Sequence, residues 1–430
     1  MTLYVFIELN GTQRFVGTIA DIHSGEGQFC YASEYLKASD SAPISCRLPL
    51  QEEPFSSERT RTFFEGLLPE GFTRRSVAGW IHADANDYLT ILANLGKECL
   101  GAIRILDNPL PSDNAGYRKL TMDQVKELAR EGASKSAELV TKSHLSLTGA
   151  SGKAGLYYHP DTKEWYLPVG CAPSTHIVKQ SHIRLEAIVT NEQLSLMTAK
   201  ACGLPVPDSF IINLDRARDE DVLFATERFD RIFSPDRQTF SDAPGMEFPV
   251  PLRLHQEDFS QALGIHSLDK YETEKSGYLE RCFSLLRQVS ANPIEDQMRL
   301  WNILIYDFLV GNTDNHIKNL SLLYGENLRQ IRLAPAYDIV STCVYDASTR
   351  DMAIYLGDAC SLDHISRDSL TQAAHEAGLS TRMALRSVDT LAGRFEAGLR
   401  ESAAFLKDAG FSQAEYLRDR ILKNGGFRQL

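Results

Sequence analysis

The chain has 430 residues, enough for two or three domains, and its 43% hydrophobic and 24% charged residues exclude a disordered or coiled-coil chain. Its 45 Lys and Arg against 57 Asp and Glu leave a net charge of −12, which excludes a dedicated DNA-binding chain, since phosphate contacts need a basic surplus. No apolar run reaches a membrane span, the start MTLYVFIELNGTQRF lacks a signal-peptide layout, and the eight cysteines form no C-x-x-C pair, so a cytoplasmic, reducing setting is expected.

In chain order, residues 3–9 alternate as a strand, Asn10-Gly11 signals a hairpin turn, and 15–19 return as a second strand. Helical stretches follow at 60–67 and 72–81. Residues 107–118 are rich in Pro, Asn and Asp and are expected to be a linker, closing a β-rich first unit at residue 106. A polar helical segment at 121–128 opens the remainder. Short strands are expected at 145–147, 156–158, 165–169 and 175–179, then a helix at 191–201 that Gly203 and Pro205 end. Strands at 210–214 and 222–226 follow, and 234–251 reads as a loop rich in Pro and Asp. Beyond it the chain is mainly helical, with 297–310 the most apolar helix. Strands with one helix, then a helical bulk, predict an α+β two-lobe layout, with one lobe over 119–233 and a helical lobe over 234–430.

The stretch GNTDNHIKN (311–319) is the most informative. It follows a helix apolar almost all round (Trp301, Ile303, Leu304, Ile305, Phe308, Leu309), which must be buried. Asp314 and Asn319 have the Asp-x-x-x-x-Asn spacing of a protein-kinase catalytic loop, where Asp orients the attacking hydroxyl and Asn holds a metal. On these two residues alone, a polar loop with a helix-capping Asp fits equally well. The order that follows favours the catalytic loop: strand-like 320–324, the turn Gly325-Glu326-Asn327, strand-like 330–334, then Asp338. Asp338 and Asn319 would supply the hard oxygen ligands that Mg²⁺ prefers. His316 and Lys318 are polar neighbours of Asp314, and either would neutralise charge on a transferring phosphoryl group.

Upstream, Gly149, Ala150, Ser151, Gly152 and Lys153 lie between two expected strands. Glycines let backbone N–H groups approach phosphate, although a plain β-turn accounts for such a hairpin by itself. The spacing is not that of a Walker A loop, which needs Gly at Leu147 and Ser or Thr at Ala154. Lys179 ends an apolar strand, where an ammonium is costly to bury unless it meets an anion; Glu192 is its candidate partner, and a surface lysine with a surface glutamate is the plainer account. Glu227-Arg228-Phe229-Asp230 follows a strand, the place for an adenine hinge or for an edge ion-pair cluster. His255-Gln256-Glu257-Asp258 opens a helical stretch, as a cap or as support behind the catalytic loop.

These stretches resemble the HipA toxin kinases of bacterial toxin–antitoxin modules. SLTGASGK (146–153), THIVK (175–179), NE (191–192), ERFDR (227–231), HQEDFSQALG (255–264), GNTDNHIKN (311–319) and PAYDIVS (335–341) run in family order. The resemblance implies a two-lobe, protein-kinase-like fold with an amino-terminal β-rich subdomain and a mainly helical carboxy-terminal lobe. It implies a serine/threonine-protein kinase using ATP and Mg²⁺. By motif, Asp314 would be the catalytic base, Asn319 and Asp338 the metal ligands, Lys179 the holder of the ATP phosphates, and Glu227–Phe229 the adenine hinge. Ser146 matches the position family members autophosphorylate, which ejects the loop and inactivates the kinase. The family loop reads Gly-Ala-Gln, whereas Ser151 and Gly152 stand here for Gln and its neighbour, which adds Ser151 as a second modification site.

The resemblance further implies an aminoacyl-tRNA synthetase target, glutamyl-tRNA synthetase in particular, with growth arrest and persistence as the outcome. The implied partner is a small helix-turn-helix antitoxin (HipB-like) that binds operator DNA, so this chain would meet DNA only indirectly and no membrane at all. Two rivals stand beside this reading: a small-molecule phosphotransferase of the aminoglycoside-kinase kind, and a catalytically silent kinase-like scaffold in an antitoxin–DNA complex.

Overall fold

The computed structural model describes residues 1–23, 26–109, 115–131, 153–180, 185–214, 221–234, 239–243 and 246–429. The strand expected at 145–147 and the loop residues Ser146, Gly149, Ala150, Ser151 and Gly152 lie outside them. The chain forms two units that interleave in sequence: Met1–Ile183 with Ile212–Glu257 and Leu323–Gln330, and Arg184–Ile211 with Asp258–Leu322 and Ile331–Leu430. The first unit thus reaches across the lobe boundary expected at 233/234, taking in Ile212–Glu257 and Leu323–Gln330.

The first unit opens with β1 (Thr2–Leu9) and β2 (Thr12–His23), joined at Asn10-Gly11. Both turn residues have positive φ, 49° and 74°, as a two-residue hairpin with right-handed twist requires. Leu3, Val5 and Ile7 share one face of β1 and are buried, the period-2 pattern of a half-covered sheet. With β3 (Glu26–Tyr31) and β4 (Ile103–Leu106) they form a sheet in the order β3-β2-β1-β4. The helix Ser57–Glu65 brings Phe64 against Phe29, and its Ser56 cap accepts from the Arg59 N–H at 3.3 Å.

A second sheet runs β5-β7-β6-β8-β10-β9: β5 (Ala115–Lys119), β6 (Lys153–Tyr158), β7 (Trp165–Gly170), β8 (His176–Gln180), β9 (Ser209–Asn213) and β10 (Val222–Glu227). The linker expected at 107–118 is thus shorter, since residues 115–118 pair with β7. The loop expected at 234–251 holds a hairpin, Thr239–Ala243 with Met246–Pro249. Its Phe248 is buried among Tyr117, Tyr157 and Tyr166, and that burial offsets the poor strand composition.

The same unit holds a buried ionic cluster of Glu8, Glu98, Asp230, Arg228, Arg231 and Arg253. Glu98 accepts from Arg228 (3.2 Å), Arg231 (2.8 Å) and Arg253 (2.6 Å). Arg253 also donates to Glu8 at 2.6 Å, and Asp230 accepts from Arg228 at 2.7 Å and from the Gly101 N–H at 2.6 Å. Three carboxylates meet three guanidiniums, so the charges cancel and nearly every lone pair has a donor.

The second unit is mainly helical. At its centre is the helix Pro293–Val310, whose Leu300, Trp301, Ile303, Leu304, Ile305, Tyr306, Phe308 and Leu309 are buried. It packs against the helices Tyr278–Val289 and Thr381–Asp408, and Trp301 Nε1–H donates to the Ala384 carbonyl at 3.1 Å. Thr381–Asp408 also covers the helix Ile188–Ala201. The central helix stops at Gly311, whose φ is 74°; a Cβ there would collide with Cys343, so both backbone and space demand glycine.

Candidate active site

In the first unit the register of the second sheet sets two lysines side by side. Lys153 on β6 lies directly opposite Lys179 on β8, and Phe224 on β10 lies opposite Lys179 on its other side. The Lys179 ammonium stands 5.6 Å over the Phe224 ring, and both lysines are buried. Cross-strand neighbours approach to about 5 Å, and like charges there repel unless an anion is shared. A lysine pair of this kind suits the phosphates of a nucleotide.

The segment after β10 alternates. Arg228 and Asp230 turn inward to the ionic cluster, while Glu227 is exposed and Phe229 half-buried. The ion-pair account and the hinge account of this stretch thus fall on opposite faces. The tetrad at 255–258 is shared in the same way. His255 Nε2 bonds the Ile44 carbonyl at 2.8 Å, and burial pushes its pKa down to about 4. Gln256 donates to Asp230, and Glu257 accepts from Ser45, the Cys46 N–H and the Tyr324 hydroxyl.

In the second unit Asp258 forms a capping box with Gln261 at the start of the helix Phe259–Leu263 and binds the Lys318 ammonium at 2.7 Å. Both side chains are buried, so the expectation that Lys318 meets a phosphoryl group is corrected: its charge is engaged by Asp258 and ties down the loop.

The rest of the loop 311–319 is held as firmly. Asn312 Nδ2 donates to Asp307 Oδ1 at 2.8 Å, and Asn315 Nδ2 donates to Asp307 Oδ2. Asn312 Oδ1 in turn accepts from the Asp314 N–H at 3.2 Å. Thr313 and Thr342 bond through their hydroxyls at 2.7 Å. The Asp314 carbonyl accepts from the His316 N–H at 2.8 Å and from Asn319 Nδ2 at 3.1 Å. Asn312, Thr313, Asn315, His316, Ile317 and Lys318 are all buried, whereas Asp314 is exposed. A carboxylate presented to solvent from an immobilised loop is what a general base requires.

Beyond the strands Ser321–Tyr324 and Ile331–Leu333, Asp338 is half-buried with φ of +57°, a left-handed backbone that aspartate tolerates better than most L residues. The segment is pinned around it. The Ala336 N–H donates to the Pro205 carbonyl at 2.9 Å, and Ser341 N–H donates to Asn191 Oδ1 at 3.0 Å. The oxygens of Asn319 and Asp338 are of the hard type that fits Mg²⁺.

Sequence reasoning passed over Asp307 and Tyr271, and gave Asn191 no role of its own. Asp307 had a legible signal, a carboxylate inside an apolar helix, which only a buried partner explains. Tyr271 had none: its hydroxyl donates to Asp314 Oδ1 at 2.6 Å from 43 residues away. Glu192 is buried in the helix Ile188–Ala201 of the second unit, whereas Lys179 belongs to the first.

Comparison with known proteins identifies the family and the fold. Residues 7–106 match the HipA N-terminal domain and residues 145–399 the HipA-like C-terminal domain. The protein Y4mE of Sinorhizobium fredii is 33% identical over 88% of this chain and 87% of its own length. The serine/threonine-protein kinase toxin HipA of Shewanella oneidensis is 24% identical over 93% of this chain and 91% of its own. The solved Shewanella oneidensis HipA, in complex with HipB and operator DNA, superposes with a TM-score of 0.77 at 21% identity, covering 97% of this chain and 96% of that one. The fold is accordingly the α+β, two-lobe, kinase-like one.

Proposed function

The chain belongs to the HipA family, and from that premise we propose that it is an ATP-dependent serine/threonine-protein kinase, the toxin of a toxin–antitoxin module. The observation that carries the reading is the loop 311–319, in which buried side chains fix the backbone and Asp314 faces solvent. Asp314 accepts or orients the proton of the acceptor hydroxyl as that oxygen attacks the γ-phosphorus. Lys153 and Lys179 would meet the phosphates, the backbone of Glu227–Phe229 would face adenine, and Asn319 and Asp338 would hold Mg²⁺. Bound there, Mg²⁺ would draw off negative charge that develops on the phosphate oxygens. Catalysis by this chain is then mostly positioning and fixed electrostatics.

In the same reading the chain modifies itself on Ser146 or Ser151 and a protein target in trans, an aminoacyl-tRNA synthetase, which arrests growth. A helix-turn-helix antitoxin is the expected partner, and it carries the DNA contact. What supports this is the family membership together with the HipB–DNA assembly of the Shewanella oneidensis relative.

The test is incubation with γ-labelled ATP and Mg²⁺, alone and with cell lysate, beside Asp314→Asn. The expected result is label on Ser146 or Ser151 and on one discrete lysate protein, with at least a thousandfold less in Asp314→Asn at an unchanged melting temperature. Label that enters only small molecules would select the small-molecule phosphotransferase. ATP binding without any transfer, even after phosphatase treatment, would select the silent scaffold.

A further inference from the structure

We infer that Tyr271 is a positioning residue for the base: its phenol fixes the orientation of the Asp314 carboxylate. The inference rests on Asp314 being the base and concerns what holds it. The Tyr271 hydroxyl donates to Asp314 Oδ1 at 2.6 Å, the short distance of a hydrogen bond to an ionised acceptor. An exposed Asp otherwise swings among rotamers, and each misaligned rotamer subtracts from productive geometry.

Tyr271 is itself located from behind. The next residue, Glu272, is buried, and its carboxylate accepts from the N–H groups of Gly277 (2.8 Å), Tyr278 (3.1 Å) and Tyr355 (2.8 Å). Glu272 N–H donates to the carbonyl of Ala353 at 2.9 Å, and Ala353 N–H donates to the carbonyl of Thr313 at 3.2 Å. One residue of the strand Asp351–Leu356 thus bonds the neighbour of Tyr271 on one side and the neighbour of Asp314 on the other. That shared strut keeps phenol and carboxylate in fixed relation. The Tyr271 ring also stands edge-on to His316, with centroids 5.2 Å apart, and this packing survives loss of the hydroxyl alone.

Tyr271→Phe is therefore a clean deletion of one hydrogen bond at a side chain that is 44% exposed and tolerates the change. Kinetics of autophosphorylation and of transfer to the labelled lysate protein are compared for wild type, Tyr271→Phe and Glu272→Gln. The expected result is a kcat lowered about tenfold in Tyr271→Phe with both KM values and the melting temperature unchanged. Glu272→Gln, which leaves the phenol but loosens its anchor, lowers kcat by less and lowers the melting temperature as well. A Tyr271→Phe enzyme with wild-type or higher kcat overturns the proposal while the kinase reading stands, and so does a loss confined to KM. A wild-type chain that transfers no phosphate removes the kinase reading first, and this proposal with it.

Discussion

Glu98 and Asp307 are both fully buried carboxyl groups, one in each unit, and their surroundings drive them in opposite directions. For Glu98, burial pushes the pKa up, but the guanidiniums of Arg231, Arg253 and Arg228 outweigh it and hold the group at about 2. For Asp307, burial likewise pushes the pKa up, and the amides of Asn312 and Asn315 pull back only in part, leaving it at about 8. Equal burial therefore does not decide the charge state of a carboxyl; the formal charge of its donors does. The first arrangement is a closed set of cancelling charges within the first unit. The second is a carboxyl group that burial drives toward its protonated form, under a loop whose one exposed member is Asp314.

The comparison breaks first where charge cancellation is removed. Glu98→Gln leaves Arg228, Arg231 and Arg253 with an uncompensated buried charge and is expected to cost about 3–5 kcal/mol in denaturant unfolding. A loss under about 1 kcal/mol would mean that water or a neighbour compensates the arginines. In the second unit an equally local change acts without touching any charge. Gly311→Ala forces a Cβ into a left-handed backbone and toward Cys343, and is expected to cost about 2–4 kcal/mol and most of the transfer activity. Full activity in that variant would show the loop to be set independently of the helix end.

The contrast is sharpened further through pH. Asp307 keeps its proton in the folded state up to about 8, whereas the unfolded chain releases it in the ordinary carboxylate range. Stability should therefore fall as pH rises through that window, by up to about 1.4 kcal/mol per pH unit, and level off above it. Asp307→Asn should flatten that slope between pH 6 and 8, as read from urea midpoints. Glu98 behaves with the reverse sign: its contribution is present above the usual carboxylate range and is lost only as pH falls toward about 2. An unchanged pH slope in Asp307→Asn would mean that Asp307 is ionised in the native protein.

How much of this was legible beforehand follows the range of the interaction. The hairpin at Asn10-Gly11, the apolar helix and the order Asp314, Asn319, Asp338 are local patterns, and the sequence displays them. The hairpin 239–249 was hidden because its Pro and Asp content signals a loop, while Phe248 earns its place only from tyrosines far along the chain. Lys318 stands in the sequence only as one of two polar neighbours of Asp314 that would neutralise a phosphoryl group, because its partner Asp258 lies 60 residues upstream. Tyr271 carries no pattern, since the strand that aligns it with Asp314 enters the chain some 80 residues later.

The left-handed backbone at Asp338 has an evolutionary consequence. At φ of +57° glycine and asparagine sit more comfortably than aspartate, by up to about 1 kcal/mol, and neither carries a carboxylate. Drift under folding alone would therefore replace this residue, and the conformation itself would survive the replacement. A demand for the carboxylate is what would hold an aspartate there. Paralogues that have shed their chemistry should be recognisable by glycine or asparagine there, long before the rest of the fold shows any change.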